Sequence, residues 1–309
     1  MRDLIVDGVP LRDPQGEWSI DYTRSKMLPE VSRAYISDPE YGFHGNTSGN
    51  GELSYFGTAT ESWVINVAST DKDDHRVNMR GLSGLFQRPE LLVVAAPQRT
   101  PLAAAVRSGA TFDISADAQL QGRFQMNGSV AEERINEATS RITVIMENLN
   151  AFWMSANYYT SAPAVLAGSP QTVVLDTVLA DSDAPVTDGM IRIKGPVAAG
   201  GTVTVQDRSN AFRSVRYTAV SEIPAGQWVL IEMATLRAVA RSIDTWSMAG
   251  GVDVSSRLTT SGDGAFFLSP GIGAGFPAAS WSYIAAVAAT GFTAGTTAVE
   301  FRVRRSYFA

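Results

Sequence analysis

The 309-residue chain has no cysteine and only two histidines, His44 and His75. The first absence excludes disulfides, thiolate nucleophiles and cysteine-ligated metals. The second leaves almost no imidazole for acid–base work. Lysine is nearly missing, occurring only at 26, 72 and 194, so arginine supplies the positive charge. Arginine suits interface ion pairs and stacking, although a base-composition bias of the genome explains the preference equally well. Charged residues make up 18%, below the usual quarter, which is consistent with a surface partly covered by partners. A net charge of -6 and a pI near 5.1 argue against a nucleic-acid-binding surface, which needs clustered cations. No apolar run approaches the roughly 18 residues of a membrane span, the nearest being Ile284–Ala289. The opening MRDLIVDGVP has no signal-peptide h-region. The expectation is a soluble protein made in a cytoplasm, with no membrane partner.

What the chain does have is a long stretch, Leu28–Phe56, that is both glycine-rich and aromatic. Gly42, Gly45, Gly49 and Gly51 stand beside Tyr35, Tyr41, Phe43, Tyr55 and Phe56. A loop of more than about a dozen residues is usually functional or disordered, and disordered segments are poor in aromatics. Aromatic rings on an arm too long for its own domain find their pocket on a neighbouring chain. The segment near 37–60 therefore reads as an assembly arm, with Tyr41, Phe43, Tyr55 and Phe56 as the interface candidates.

Elsewhere the hydrophobic pattern has period two. Trp63–Ala68, Leu91–Ala96, Thr111–Ala118, Arg123–Met126 and Ile142–Met146 predict strands in the first half. One helix is predicted over Asp74–Gln87, with Asp71 or Asp73 as cap, Pro89 beyond its end, and Val77, Leu82, Leu85 and Phe86 on one face. A shorter helical turn is expected at Val130–Ala138. Residues 157–170, with two prolines, Gly and Ser, read as a linker between domains at 1–156 and 171–309. Beyond it come strands at Met190–Lys194, Thr202–Gln206, Ser214–Thr218, Gln227–Met233, Ala265–Leu268 and Ala298–Arg304. In the last of these Val299, Phe301 and Val303 point one way and Glu300, Arg302 and Arg304 the other. Turn signals fall at Asp188-Gly189, Ala199–Gly201, Pro224–Gly226 and Ser261–Gly264. Closely spaced strands without helices mean an antiparallel sandwich or jelly roll.

Motifs for chemistry are weak. His44 and His75 have no acidic or serine partner at a recognisable spacing, so a surface or capping role is the better reading. Gly271–Gly275 has no helix-forming segment after it and reads as a turn rather than a phosphate loop. Asp181, Asp183 and Asp188 resemble a calcium loop, but Pro185, Val186 and Arg192 fill positions that need a ligand, Gly and Glu. Glu132 and Glu133 are adjacent and cannot face each other across a sugar. Trp228, Trp246 and Trp281 could stack on sugars if exposed; core packing is the first expectation, given the area an indole buries. No catalytic residue, metal site or cofactor is expected, and the chain reads as a non-enzyme.

The order of elements resembles a family. The short start LIVDGVPLRD, the arm with its Tyr41-Gly42 and Gly45 turn, the strand at Trp63–Ala68, one helix, and strands closing in ENLNAFWM are similar to the N-terminal hub domain of distal tail proteins of long-tailed (siphovirus) bacteriophages. MIRIKGP, QDRSNAFRSVRYTA, IPAGQWVLIEM, SGDGAFFLSPG and VEFRVRRSYF are similar to the galectin-like β-sandwich that follows it there. The resemblance implies a mainly β fold: an N-terminal β-rich hub domain with one α-helix, then a C-terminal galectin-like antiparallel β-sandwich.

It also implies a function, that of a structural minor tail protein forming a homohexameric ring at the tail tip. Such a ring joins the tail tube protein to the baseplate hub or tail-associated protein and to receptor-binding proteins, and DNA passes through it without specific binding. The location implied is the virion, with assembly in the host cytoplasm. The galectin sugar motif needs a histidine, and none follows His75. A ring that passes DNA favours a neutral or acidic lumen. Asp71, Asp73, Asp74, Glu132 and Glu133 are the lumen candidates, an outer solvated rim being the other reading. A carbohydrate-binding adhesin ranks second and a glycosidase third, because neither accounts for the arm.

Overall fold

The computed structural model describes residues 4–11, 18–25, 59–95, 120–150, 152–179, 182, 184–208, 213–261, 266–272 and 281–307. The first half comprises β1 (Leu4–Val6), β2 (Val9–Pro10), β3 (Trp18–Ser25), β4 (Ala59–Ala68), α1 (Lys72–Phe86), β5 (Leu91–Ala95), β6 (Leu120–Met126), β7 (Ala131–Asn136), β8 (Thr139–Asn148) and β9 (Trp153–Thr160). All pairings are antiparallel. β4 pairs β8 over its full length, from Ala59 opposite Asn148 to Ala68 opposite Thr139. The other flank of β8 is shared between β6 and β7. Alternation then sends Trp63, Ile65 and Val67 of β4 and Ile142, Val144 and Met146 of β8 to one side, where α1 adds Leu82, Leu85 and Phe86.

The helix forms where the sequence places it, and Asp71 is the cap: its Oδ1 accepts from Asp73 N at 2.8 Å and Asp74 N at 3.0 Å, a contribution of about 1 kcal/mol. Its face differs from expectation. Val77 is 67% exposed, and the inward positions are His75, Asn78, Leu82, Leu85 and Phe86. These follow the i, i+3, i+7 spacing, and two of them are polar, so counting apolar residues alone rotated the face. Val130–Ala138 is not helical. It holds β7, whose every residue is exposed, followed by a turn in which Asn136 Oδ1 accepts from Ala138 N at 2.8 Å. The ladder to β8 outweighs the weak helical preference of Ala-Glu-Glu-Arg. Thr111–Ala118 lies outside the described residues.

The second half comprises β10 (Ala164–Val165), β11 (Gln171–Val174), β12 (Gly189–Lys194), β13 (Thr202–Asp207), β14 (Ser214–Thr218), β15 (Trp228–Glu232), β16 (Ala238–Arg241), β17 (Val252–Asp253), β18 (Leu258–Ser261), β19 (Gly271–Ile272), β20 (Trp281–Ser282), β21 (Ile284–Ala289) and β22 (Ala298–Tyr307). β11, β21, β13, β14 and β18 form one sheet in that order; β17, β16, β15, β12 and β22 run side by side in another. Ile191, Ile193, Val203, Val205, Val215, Tyr217, Val299 and Phe301 fill a common core. Phe266–Leu268 contributes only a bridge from Leu268 to Val186. Gly189, expected in a turn, begins β12 opposite Val303. A Cβ there would lie 2.7 Å from Val303 Cγ1, so close strand approach is what the glycine permits.

Residues 157–170 do not hang free as a linker. Asn157–Thr160 complete β9, Tyr158–Thr160 lie opposite Arg304–Arg302 of β22, Ser161 N donates to Phe301 O at 2.8 Å, and β10 pairs Val299 and Ala298. The prolines fall between these ladder positions, where no amide is needed. β22 and β9 thereby join the two halves in one hydrogen-bonded sheet. A bulge between Arg304 and Ser306 re-aims the strand: Phe301 and Val303 belong to the second core and Tyr307 to the first. The displaced Arg305 N donates to Ser155 Oγ at 3.0 Å.

The first core contains a carboxylate. Glu61, 1% exposed, accepts from Trp63 Nε1 at 2.9 Å through one oxygen and from Trp153 Nε1 at 2.6 Å through the other. Phe124 lies 5.3 Å from Trp63 and 5.1 Å from Trp153 between ring centroids. Glu61→Leu strands two buried indole donors and is expected to cost about 2–6 kcal/mol in urea unfolding followed by tryptophan fluorescence. Adding Trp63→Phe and Trp153→Phe should recover part of that loss, and strictly additive losses would refute the pairing.

At the edge of the same half, Asp7 accepts from Leu92 N at 2.8 Å and from Arg88 Nη1 at 2.8 Å. The backbone donor first, and Arg88 second, hold its carboxyl below the ordinary value. Its stabilisation is present above a pH of about 4 and is lost as pH falls through the lowered value. Asp7→Asn should flatten that acid limb in pH-dependent thermal unfolding; an unchanged limb would refute the assignment.

Candidate functional site

Three clusters of polar and aromatic groups stand apart from ordinary surface. The first joins α1 to the β7–β8 hairpin. His75 is 4% exposed, and its Nε2 lies 2.9 Å from Ser140 Oγ, which in turn donates to Glu132 Oε1 at 2.7 Å. With the serine proton committed to Glu132, His75 is the donor in the first contact. That polarity is opposite to a serine nucleophile activated by histidine. The expected surface or capping role of His75 is corrected to a buried bridge, hidden in the sequence because 65 residues separate it from Ser140.

The five lumen candidates are all exposed. Asp71 caps α1, Asp73 lies 3.5 Å from Arg76, and Asp74 accepts from Thr70 Oγ1 at 2.5 Å. Glu132 joins this group through Ser140 and His75. Glu133 is on the opposite face of β7, as period two dictates, 3.9 Å from Arg141. Four acids therefore cluster at the start of the helix and the fifth does not.

The second cluster sits where the halves meet. Arg302 and Arg304 lie over the Tyr158 ring at 5.0 and 4.6 Å, Tyr158 Oη donates to Asp188 Oδ1 at 3.1 Å, and Arg304 Nε is 3.4 Å from Asp188 Oδ2. Burial, then the Asp188 charge, pushes the Tyr158 hydroxyl up. Asp188 is thus an ion-pair partner in this junction; Asp181 and Asp183 lie outside the described residues. Nearby, Arg305 Nε donates to Val178 O at 2.8 Å.

The third cluster lies on the outer face of the sheet containing β12, β15, β16 and β22. Arg192 and Glu300 oppose each other across β12 and β22 and are 8% and 5% exposed. Arg192 Nε donates to Glu300 Oε2 at 2.9 Å; Nη2 bonds the same oxygen, and Nη1 bonds Asp244. The guanidinium also lies 4.4 Å from the Trp246 ring centroid. Arg241 Nη1 donates to the carbonyls of Ser247 and Ala249, fastening the 242–251 segment. Trp228 and Trp246 are half-buried, not core as first expected.

A further buried pair, Asp207 with Arg213 at 3.2 Å, lies against Phe267; burial lowers the Arg213 guanidinium to about 10 against the raising effect of Asp207. Among the described residues no group of three or more His, Cys, Asp or Glu could hold a metal.

Comparison with known proteins bears on the fold. The chain is similar over 99% of its length, and 99% of the other chain, to the crystal structure of the Dit protein (gp 19.1) of phage SPP1, with a TM-score of 0.56 and 11% identity. It shares that fold from end to end. The SPP1 protein is described as a paradigm of the hub adsorption apparatus in phages infecting Gram-positive hosts. Two structures of the phage P2 baseplate in its activated conformation, with calcium and with strontium, align over 99% of this chain and 98% of theirs at TM-scores of 0.37 and 0.31 and identities of 8% and 9%. No family model and no curated protein matches.

Relative to that Dit fold, the arm residues Tyr41, Phe43, Tyr55 and Phe56 lie outside the described residues, as does His44. Sequence reasoning missed Glu61, Ser140 and Arg192. The only available signal was a charged or polar residue on the apolar face of an alternating strand, as in Glu61-Ser62-Trp63. Ser140→Ala should cost about 1–3 kcal/mol and speed amide exchange in the first turn of α1; exchange accelerated only elsewhere would contradict the bridge.

Proposed function

We propose that the chain is a structural protein of a bacteriophage tail tip, forming a homohexameric ring that joins the tail tube to the baseplate hub and receptor-binding proteins. The observation that carries this reading is the likeness of fold to SPP1 Dit through both halves, hub-like and sandwich. A single shared domain would leave many functions open.

The hub half also offers a means of closure. Among the described strands β3 pairs only β4 and β7 pairs only β8, so the unit β3–β4–β8–β7 has an open edge on each flank. Pairing unlike edges of neighbouring copies is a heterologous contact, which either closes into a ring or extends as a filament. The charges of Glu132, Glu133 and Arg134 on β7 discourage indiscriminate pairing at that edge. In this reading Tyr41, Phe43, Tyr55 and Phe56 latch onto the next subunit, residues 1–156 form the ring and 171–309 project from it. DNA passes an acidic or neutral wall without specific binding. A lumen lined by Asp71, Asp73, Asp74 and Glu132 leaves Glu133 on the other side of the sheet. Assembly takes place in the host cytoplasm, and the protein needs no cofactor and catalyses no reaction.

Light scattering of the purified chain should give about 198 kDa, six times 33.0 kDa. Replacing Tyr41, Phe43 and Phe56 together by Ser removes about 1.5–3 kcal/mol of burial per ring side chain. It should yield folded monomers by circular dichroism. Monomer alone from the parent protein at high micromolar concentration, with or without tail tube protein, would sink the ring; normal assembly of the triple variant would sink the latch.

A further inference from the structure

The outer face of the sandwich sheet carries a charged pair that is dry although it points away from the core. Such a pair costs desolvation and is kept where rigid, directed polar groups are useful. Cross-strand register supplies the surroundings. Lys194 and Arg241 flank Trp228, Leu230 and Glu300 flank Arg192, and Trp246 lies over the Arg192 guanidinium. Trp228 is the diagonal neighbour of Arg192, a separation of about 7–8 Å that aromatic and long side chains span. Two half-exposed indoles thus border one immobilised guanidinium.

We propose that this face is a binding site for a neutral carbohydrate chain, with Trp228 and Trp246 as stacking platforms and Arg192 and Glu300 as hydroxyl-binding groups. The polar inventory fits. Arg192 commits three N–H groups of its five, and Glu300 takes both bonds on Oε2, leaving Oε1 without a hydrogen bond among the described residues. Donors and acceptors are therefore offered side by side, as a hydroxyl needs, and the pairing fixes their directions in advance.

Charge decides the class of ligand. On this face Arg192, Lys194, Arg241 and Arg302 stand with Glu232, Asp244, Asp253 and Glu300, so neither sign dominates enough to attract a polyanion or a basic peptide. An apolar protein partner is disfavoured by a charged pair at the centre of the patch, because interface centres are depleted in charge. A neutral saccharide presents apolar C–H faces to indoles and hydroxyls to the pair, and it matches both features. The histidine of the galectin motif has no part in this chemistry. The inference does not depend on the ring, since every residue invoked lies within one sandwich.

The test is a titration of the full chain with cellotetraose, maltotetraose and chitotetraose, with tetragalacturonate as charged control, read by indole fluorescence and saturation-transfer NMR. At least one neutral tetrasaccharide should bind saturably. Trp246→Ala should weaken it tenfold or more, and Trp228→Ala and Glu300→Gln fivefold or more. Because Trp246→Ala also removes one of the contacts between the 242–251 segment and Arg192, Trp246→Phe is the companion variant and should retain binding within about threefold. No saturable binding of any neutral tetrasaccharide, preference for tetragalacturonate, or parental affinity in a folded Trp228→Ala variant would each overturn the proposal. In those cases the cluster serves only to hold the 242–251 segment on the sheet.

Discussion

A single ten-residue strand near the end of the described chain belongs to both cores, and the rest of the structure depends on it. β22 hydrogen-bonds β12 on one side and β9 on the other, with β10 extending the second flank. Up to Val303 its inward residues pack with the second core; past the bulge Tyr307 packs with the first. The bulge is costly to leave unsupported, and its backbone groups are met locally: Ser182 Oγ donates to Ser306 O at 2.8 Å and accepts from Ser306 N at 3.0 Å, while Tyr283 Oη bonds Ala184 O at 2.7 Å. Relative placement of the halves is therefore written in strand register, and the Tyr158 cluster reinforces it from the surface.

Each half also encloses acidic side chains whose partners leave little freedom. Glu61 is held by two indoles, Asp207 by Arg213, and Glu300 by Arg192. None of these is a large source of stability, because desolvation offsets most of the attraction. Their effect is on alternatives. A slip of one residue in β4 would turn Glu61 and Trp63 together to the opposite face, bury Ser62 and leave the Trp153 indole donor without its acceptor. A slip between β12 and β22 would separate Arg192 from Glu300. Apolar contacts alone would tolerate such shifts far more readily.

Much of this architecture was legible in the sequence, for identifiable reasons. Strands with one dry face, such as Ser214–Thr218 and Ala298–Arg304, announce themselves by alternation. The helix announces itself by its Asp71 cap and the Pro89 stop, and the mainly β character follows. Legibility fails where partners distant in sequence decide the outcome. β7 has no apolar face and is a strand only because β8 lies beside it. Tyr158–Thr160 look like a break until Arg302–Arg304 of β22, more than 140 residues on, arrive to pair them. Val77 was assigned inward because the true inward residues, His75 and Asn78, are polar and bond Ser140 and Ser69 from neighbouring segments. The outer sandwich cluster was illegible for the same reason: Arg192, Asp244 and Glu300 meet only through cross-strand pairing and a folded-back segment. Trp228 and Trp246 were weighed as core because indoles usually are.

The position of β22 in the chain sets an order of events during synthesis. The ribosome emits the first half well before residues 298–307, so the first core waits for Tyr307 and β9 presents an unfilled edge in the interval. Neither half can be completed as an independent early product. Both cores therefore reach their final packing only after residues 298–307 have left the exit tunnel.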